Sequence, residues 1–226
     1  MREVVIDTET TGLSHKTGDR VIEVGCVELI NHVATRKFLQ FYCKVDKEIS
    51  ESAQKITGIT NKFLSDKKYF SDHCGSFLSF IGNDTLIIHN AEFDVGFINK
   101  ELSLIGKPAI TNPVVDTVAL ARSVLNTRVA NLDYLCRRFK IDLSERNLHG
   151  ALLDSRLLAE VYLELKGGKQ FSMNLSKGDY TKTNHTNKKE KNIKNIIKFE
   201  ATEEDKALHK KITNEIKEAI WKKYNY

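Results

Sequence analysis

Residues 2–45 read REVVIDTETTGLSHKTGDRVIEVGCVELINHVATRKFLQFYCKV, and this stretch decides the fold class. Three runs within it, at 2–7, 20–30 and 37–45, are rich in Val, Ile, Phe and Tyr, which suit a pleated, half-buried surface. Polar segments at 12–19 and 31–36 separate them, short enough for consecutive strands to lie antiparallel as a meander. After residue 45 the pattern changes. Residues 71–81 read as a helix with Phe77, Leu78 and Ile81 on one face. A short strand at 85–89, a helix at 91–105 and a short strand at 114–116 follow. Helices near 117–125, 132–139 and 150–166 complete the pattern. A meander followed by strand–helix alternation predicts an α/β fold, a mixed sheet with helices packed on it.

The chain has 226 residues, enough to bury one core without staples. Its 41% hydrophobic and 29% charged residues are those of a soluble globular protein. No apolar run approaches the ~18 residues of a membrane span. Met1-Arg2-Glu3 leads directly into Val4-Val5-Ile6, so no secretory signal is expected. Cys26, Cys43, Cys74 and Cys136 have neither zinc nor redox spacing. Reduced thiols and a cytoplasmic location are the expectation. The net charge of +5 is unevenly placed: residues 1–175 hold 22 basic and 22 acidic side chains, residues 176–226 hold 13 and 8. Bulk charge therefore gives the main body no strong hold on nucleic acid.

Gly167-Gly168 ends the last helix of that body. Residues 181–192, TKTNHTNKKEKN, contain no apolar side chain, and a flexible linker is expected over 177–201. Leu208, Ile212, Ile216 and Ile220 then recur every four residues, with Glu203, Glu204 and Asp205 where a first helical turn favours negative charge. Residues 202–226 thus read as an amphipathic helix, marginal alone and in need of a partner surface.

Asp7 and Glu9 are two residues apart at the end of the first strand, so they project from one face. Asp94 falls in the first turn of the helix after strand 85–89. Asp154 lies near the start of another helix, five residues after His149. Five helical residues separate two side chains by about 140°. The two converge only if His149 sits in the loop before the helix, where an imidazole is free to carry a proton. Four carboxylates at strand and helix ends suit hard divalent cations, Mg²⁺ or Mn²⁺ rather than Zn²⁺. Two such ions clamp the attacking and leaving oxygens of a phosphoryl transfer. Spacing alone does not select these four from 30 acidic residues.

The segments 4–13 (VVIDTETTGL), 89–94 (HNAEFD) and 148–154 (LHGALLD) do select them. In order and separation they resemble the three motifs of the DEDDh 3′→5′ exonucleases. The likeness continues through 131–136 (NLDYLC) and 157–163 (LLAEVYL) and covers roughly residues 2–175. The resemblance implies a ribonuclease H-like mixed five-stranded sheet flanked by helices over residues 1–168. It implies two divalent cations, Mg²⁺ or Mn²⁺, held by Asp7, Glu9, Asp94 and Asp154. His149 would take the proton of the attacking water. Thr10, Thr11 and Leu13 would meet the terminal nucleotide together with Asp7, Glu9 and Asp154.

Within the family the chain is most similar to the proofreading members that serve bacterial replicative DNA polymerases. Their substrate is the DNA 3′ end and their product a nucleoside 5′-monophosphate. Residues 169–176, with Gln170, Phe171, Met173 and Leu175, resemble the peptide by which such members bind the sliding clamp (beta). The layout of 177–201 and 202–226 matches the segment that binds the polymerase catalytic (alpha) subunit, which makes Leu208, Ile212, Ile216 and Ile220 the expected contact row. Ser52 and Thr57 stand where relatives often carry an acid and a His near the terminal nucleotide, and 126–129 lacks a Pro-Gly turn common among them. Two other readings stay open: a free-standing nuclease that trims RNA, with the same catalytic residues, and a non-catalytic binding module.

Overall fold

A computed structural model of the chain describes residues 1–146, 148–168 and 202–215. Two compact units divide the chain, Met1–Asn174 and Leu175–Tyr226, and each is described by itself.

In the first unit β1 (Arg2–Thr10), β2 (Val21–Ile30) and β3 (Val33–Tyr42) form the expected meander. β4 (Thr85–Ile88) and β5 (Val114–Asp116) complete a five-stranded sheet in the order β3-β2-β1-β4-β5. β1 runs antiparallel to β2 and parallel to β4, and β5 is parallel to β4. The helices are α1 (Glu51–Thr57), α2 (Asn61–Leu64), α3 (Phe70–Ile81), α4 (Ala91–Leu104), α5 (Thr117–Leu125), α6 (Leu132–Phe139) and α7 (Ala151–Leu165).

Strand alternation sorts the core into two layers. Val4, Ile6, Leu86 and Ile88 pack with Phe77 and Ile81 of α3 and Phe97 and Ile98 of α4. Val5, Val27, Leu29 and Ile87 pack on the other face with Leu135 of α6 and Leu158, Val161 and Tyr162 of α7. The sheet is covered on both sides, as the mixed pattern predicts. All four cysteines are buried and unpaired. No helix among the described residues is long and apolar enough to cross a membrane.

Two expectations change. The loop read at 31–36 is a two-residue turn: Asn31 and His32 both adopt positive φ, 51° and 69°. That is the backbone of a tight hairpin, so β3 begins at Val33. The second change is α1 and α2, which hydrophobic periodicity does not show. Both are short and are set by their caps. Ser50 accepts a hydrogen bond from the Ala53 amide and Gly58 closes α1 at φ 71°, while Thr60 accepts from the Phe63 amide.

In the second unit α8 (Glu203–Glu215) starts at Thr202, whose hydroxyl accepts from the Asp205 amide at 3.2 Å while the Asp205 carboxylate accepts from the Thr202 amide. Leu208 and Ile212 are 59% and 52% exposed on it. The expected clamp-binding residues Gln170, Phe171, Met173 and Leu175, the expected linker 177–201, and Ile216 and Ile220 lie outside the described residues.

Candidate active site

Parallel pairing of β1 with β4 and of β4 with β5 brings three strand ends to one edge of the sheet. Asp7 and Glu9 are at the end of β1, on the face of Val5. β4 ends before His89 and Asn90, and Asn90 adopts φ 65° to turn the chain into α4. Asp116 at the end of β5 fixes that turn. Its carboxylate accepts from the amides of Asn90, Ala91 and Val118 at 3.2, 3.2 and 2.8 Å, so one side chain caps both α4 and α5. Asp94 thereby falls in the first turn of α4, buried, and accepts from the Thr8 hydroxyl at 2.6 Å.

α7 brings Asp154. It approaches β2 at Gly25, the residue paired with Asp7 across the sheet. A Cβ on Gly25 would overlap the backbone of Ala151 and Leu152. The Ser155 hydroxyl donates to the Gly25 carbonyl at 2.9 Å and holds the approach. His149 lies in the loop just before α7, as convergence with Asp154 requires. Its amide donates to the Ile56 carbonyl at the end of α1 at 3.0 Å, and the preceding Leu148 packs on Gly58. The short helix α1 is therefore what fixes the histidine loop.

The result is a cleft of about 350 Å³ lined by Asp7, Glu9, Asp154, His149, His89 and Arg146, among others. One ligand atom each from Glu9, His149 and Asp154 lies within 4.8 Å of the others. The electrostatics are those of crowded acid. Burial pushes the Asp7 carboxyl well above the usual range, and the charges of Asp94, Glu9 and Asp154 push the same way. Burial, then Asp154 and Glu23, raises Glu9 to about 8, with Arg146 opposing. Burial raises Asp94 to about 7 even though the Thr8 hydroxyl and backbone donors favour its ionised form. Elsewhere on the sheet buried carboxylates have partners: Arg20 forks onto Glu101 at 2.8 and 2.7 Å, and Tyr162 donates to Glu3 at 2.7 Å. No donor among the described residues hydrogen-bonds the carboxylates of Asp7 or Glu9. Four clustered carboxylates, two of them without donors, are the oxygen-rich set that hard divalent cations take.

A second hollow of about 550 Å³ meets the first at Thr8, Glu9 and His149. Thr10, Leu13, Ser52, Thr57, Ile56 and Phe93 are in its wall. Leu13 is 86% exposed at its lip. The expected substrate contacts Thr10, Leu13, Ser52 and Thr57 thus share one wall. Thr11 does not join them: its side chain is buried. Its hydroxyl bonds Asp19 and accepts from the Arg20 amide, its own amide donates to the Arg20 carbonyl, and its carbonyl accepts from the Ser50 amide. Thr11 shapes the loop rather than the hollow.

Comparison with known proteins places the chain in a family. The family described as Exonuclease matches residues 4–162. DNA polymerase III subunit epsilon of Rickettsia felis is 42% identical over 224 residues, 96% of this chain and 97% of that protein. The same subunit of Salmonella typhimurium is 43% identical over 175 residues, 74% of this chain and 72% of that one. The chain belongs to the exonuclease family, in its DNA polymerase III epsilon branch. The nuclease domain of 3'hExo, a DEDDh family member solved with bound rAMP, has the same fold: TM-score 0.64, 18% identity, 74% of this chain and 92% of that one.

Three members of this exonuclease-family site are not evident from the sequence. Arg146 pairs with Asp154, but one arginine in a polar loop carries no periodic signal. His89 donates to or accepts from the Thr117 hydroxyl at 2.8 Å, and burial lowers its pKa. Glu23 is 1% exposed, stands opposite Glu9 in the β1–β2 register and accepts from Gln40 at 2.7 Å. A charged residue inside the apolar run VIEVGCVELI was the available signal for Glu23, because that run is buried along nearly its whole length.

Proposed function

We propose that this chain is a 3′→5′ exonuclease that proofreads DNA synthesis as the epsilon subunit of a replicative DNA polymerase. One observation carries the reading. Carboxylates from β1 and α7 share one cleft with His149, and the α4 carboxylate Asp94 is close enough for its charge to raise Asp7, in a chain that matches named epsilon subunits along almost its whole length.

Asp7, Glu9, Asp94 and Asp154 would hold two divalent cations, Mg²⁺ or Mn²⁺. Bound there, the cations supply a lowered water pKa and a counter-charge for the phosphate oxygens. The protein's own residues do the rest. His149 stands at the junction of the two hollows, within reach of Asp154 (Nδ1 to Oδ2 3.5 Å) and open to solvent on its other side. It accepts the proton of the attacking water, and an imidazole suits that task near neutral pH. The leaving group is the 3′-oxygen of the shortened strand, and a nucleoside 5′-monophosphate departs. Leu13, Ile56 and Phe93 give the second hollow apolar walls for the last base, with Thr10, Ser52 and Thr57 beside them. Its size admits an unpaired end, and a mismatched terminus costs less to unpair than a matched one.

Residues 170–175 and the row beginning Leu208, Ile212 are assigned to the sliding clamp and to the polymerase catalytic subunit. The support is the naming of the relatives and the exposed apolar face of α8. A polymerase subunit works in the cytoplasm, where bacterial chromosomes are copied.

The test uses 5′-labelled DNA and RNA single strands with Mg²⁺ or Mn²⁺. DNA should shorten from its 3′ end faster than RNA. Asp7→Ala should abolish the ladder, and His149→Ala should slow it about 10²–10⁴-fold. Preference for RNA would favour the trimming nuclease. Unchanged activity in Asp7→Ala would remove the mechanism.

A further inference from the structure

Arg146 stands three residues before His149, in the loop between α6 and α7. Its guanidinium joins three parts of the chain. Nε and Nη2 donate to the two oxygens of Asp154 at 2.6 and 2.8 Å. Nη1 donates to Asp133 in the first turn of α6. Nη2 also lies 3.3 Å from Nδ1 of His149. The Arg146 side chain is only 8% exposed, and Asp154 beneath it 5%. Exposed ion pairs contribute little. A buried, bidentate one adds little net stability either, but it fixes geometry.

We propose that Arg146 is a positioning residue of this exonuclease site, a clamp anchored on Asp133 that sets the orientation of Asp154 and of the His149 ring. The proposal rests on the exonuclease reading above.

Three considerations support it. A carboxylate has about four lone-pair positions. The arginine fork uses one on each oxygen of Asp154, so the clamp leaves acceptor capacity for a cation. Next, the backbone of the His149 loop is held by the Ile56 carbonyl and Gly58, but among the described residues its half-exposed ring has polar contacts at 3.5 Å or less only with Arg146 and Asp154, with Glu9 standing within 4.8 Å. The clamp is what fixes the ring relative to the acid. Finally, Asp133 lies on the far side of the guanidinium and is 45% exposed, where an ion pair has small value for folding but can hold a side chain in place. Groups that orient metal ligands from behind are worth about 10–100-fold in activity or metal affinity.

The experiment compares wild type with Arg146→Gln, Arg146→Lys and Asp133→Asn. It measures kcat and KM on a 5′-labelled DNA strand at saturating Mn²⁺, and the mobility of the His149 ring in the metal-free proteins by ¹³C NMR relaxation. Expected are a fall in kcat of about 10–100-fold for both Arg146 variants, little change in KM, and greater mobility of the His149 ring. Lysine should not rescue, because it is a point charge without the fork. Asp133→Asn should move both readouts the same way by less. The proposal is overturned if kcat stays near wild type, if lysine restores it fully, or if kcat falls while the mobility of the His149 ring is unchanged, since Arg146 would then not be what holds the ring. Ring mobility does not depend on activity. A wild type that cuts no strand, with a ring that still loosens in the variants, would sink the exonuclease reading and leave the clamp standing.

Discussion

Glu9 and Asp94 are carboxylates that hold their protons near neutral pH. Their folded values of about 8 and about 7 stand against ordinary values of 4.5 and 3.8. Burial is the first cause in both, and crowding by other acids the second for Glu9. The sign of the consequence is fixed by linkage. A raised folded pKa means the native state keeps protons that the unfolded chain has lost, so stability falls as pH rises between the two values. Metal-free protein in a chelator should therefore lose thermal stability from about pH 4 to about pH 8, the window those shifts span. Glu9→Gln should flatten the curve, because it removes one of the titrating groups. Mg²⁺ or Mn²⁺ should raise the melting temperature more on the alkaline side of the window than on the acid side. Melting curves against pH, with and without the cation, check all three. A melting temperature that climbed with pH in the chelator would contradict the burial of these acids. The five motif residues were legible beforehand because their types and order match a family. Arg146 was not, because its bonds to Asp133, His149 and Asp154 form only when the loop between α6 and α7 folds back on both helices, and Glu23 offered only its charge inside an apolar run, with its partners set by strand register.

The position of α7 decides where Asp154 stands, and a single missing methyl group decides the position of α7. Gly25 pairs with Asp7, and the helix backbone occupies the space a Cβ would need. Gly25→Ala should cost about 1–3 kcal/mol in urea denaturation through overpacking. It should also reduce exonuclease activity out of proportion to the fraction unfolded, because the helix retreats with its carboxylate. Ser155→Ala, which removes only the hydroxyl bonded to the Gly25 carbonyl, should cost about 1 kcal/mol. Its activity should suffer less, since the helix can keep its place. Equal activity losses in the two variants would show that close approach at Gly25 is not what sets Asp154. The strands and long helices could be read from period and composition because each buries a regular face. α1 could not. It has seven residues, mostly exposed, and the decisive signals are Ser50 before it and Gly58 after it. Yet it holds the His149 amide, so the least legible helix supports the most reactive side chain.

Across the whole chain, the proposed chemistry and the proposed delivery fall on different residues. Every group assigned to the cleft lies within the matched residues 4–162. The basic excess lies beyond residue 175, since residues 1–175 balance at 22 and 22. A body without net charge has few phosphates to neutralise beyond the reacting one, so its affinity for a free strand should depend weakly on salt. In the proposed role its access to a primer end would come from attachment, which raises effective concentration to about the millimolar range without any new contact to DNA. α8 has the form such an attachment needs, a helix with an acidic first turn and exposed Leu208 and Ile212. A helix of that length is marginal by itself in water and gains stability by covering that face. A chain ended at residue 175 should therefore keep its kcat on a short oligonucleotide within about twofold, because no cleft residue is removed. At dilute concentrations, full-length chain should be stimulated by the polymerase catalytic subunit on a mismatched primer, and the shortened chain should not. Leu208→Asp with Ile212→Asp in the full-length protein should reproduce the shortened chain's behaviour while leaving unassisted cleavage unchanged. Stimulation that survived both changes would place the attachment on the nuclease body and leave α8 without the role argued for it.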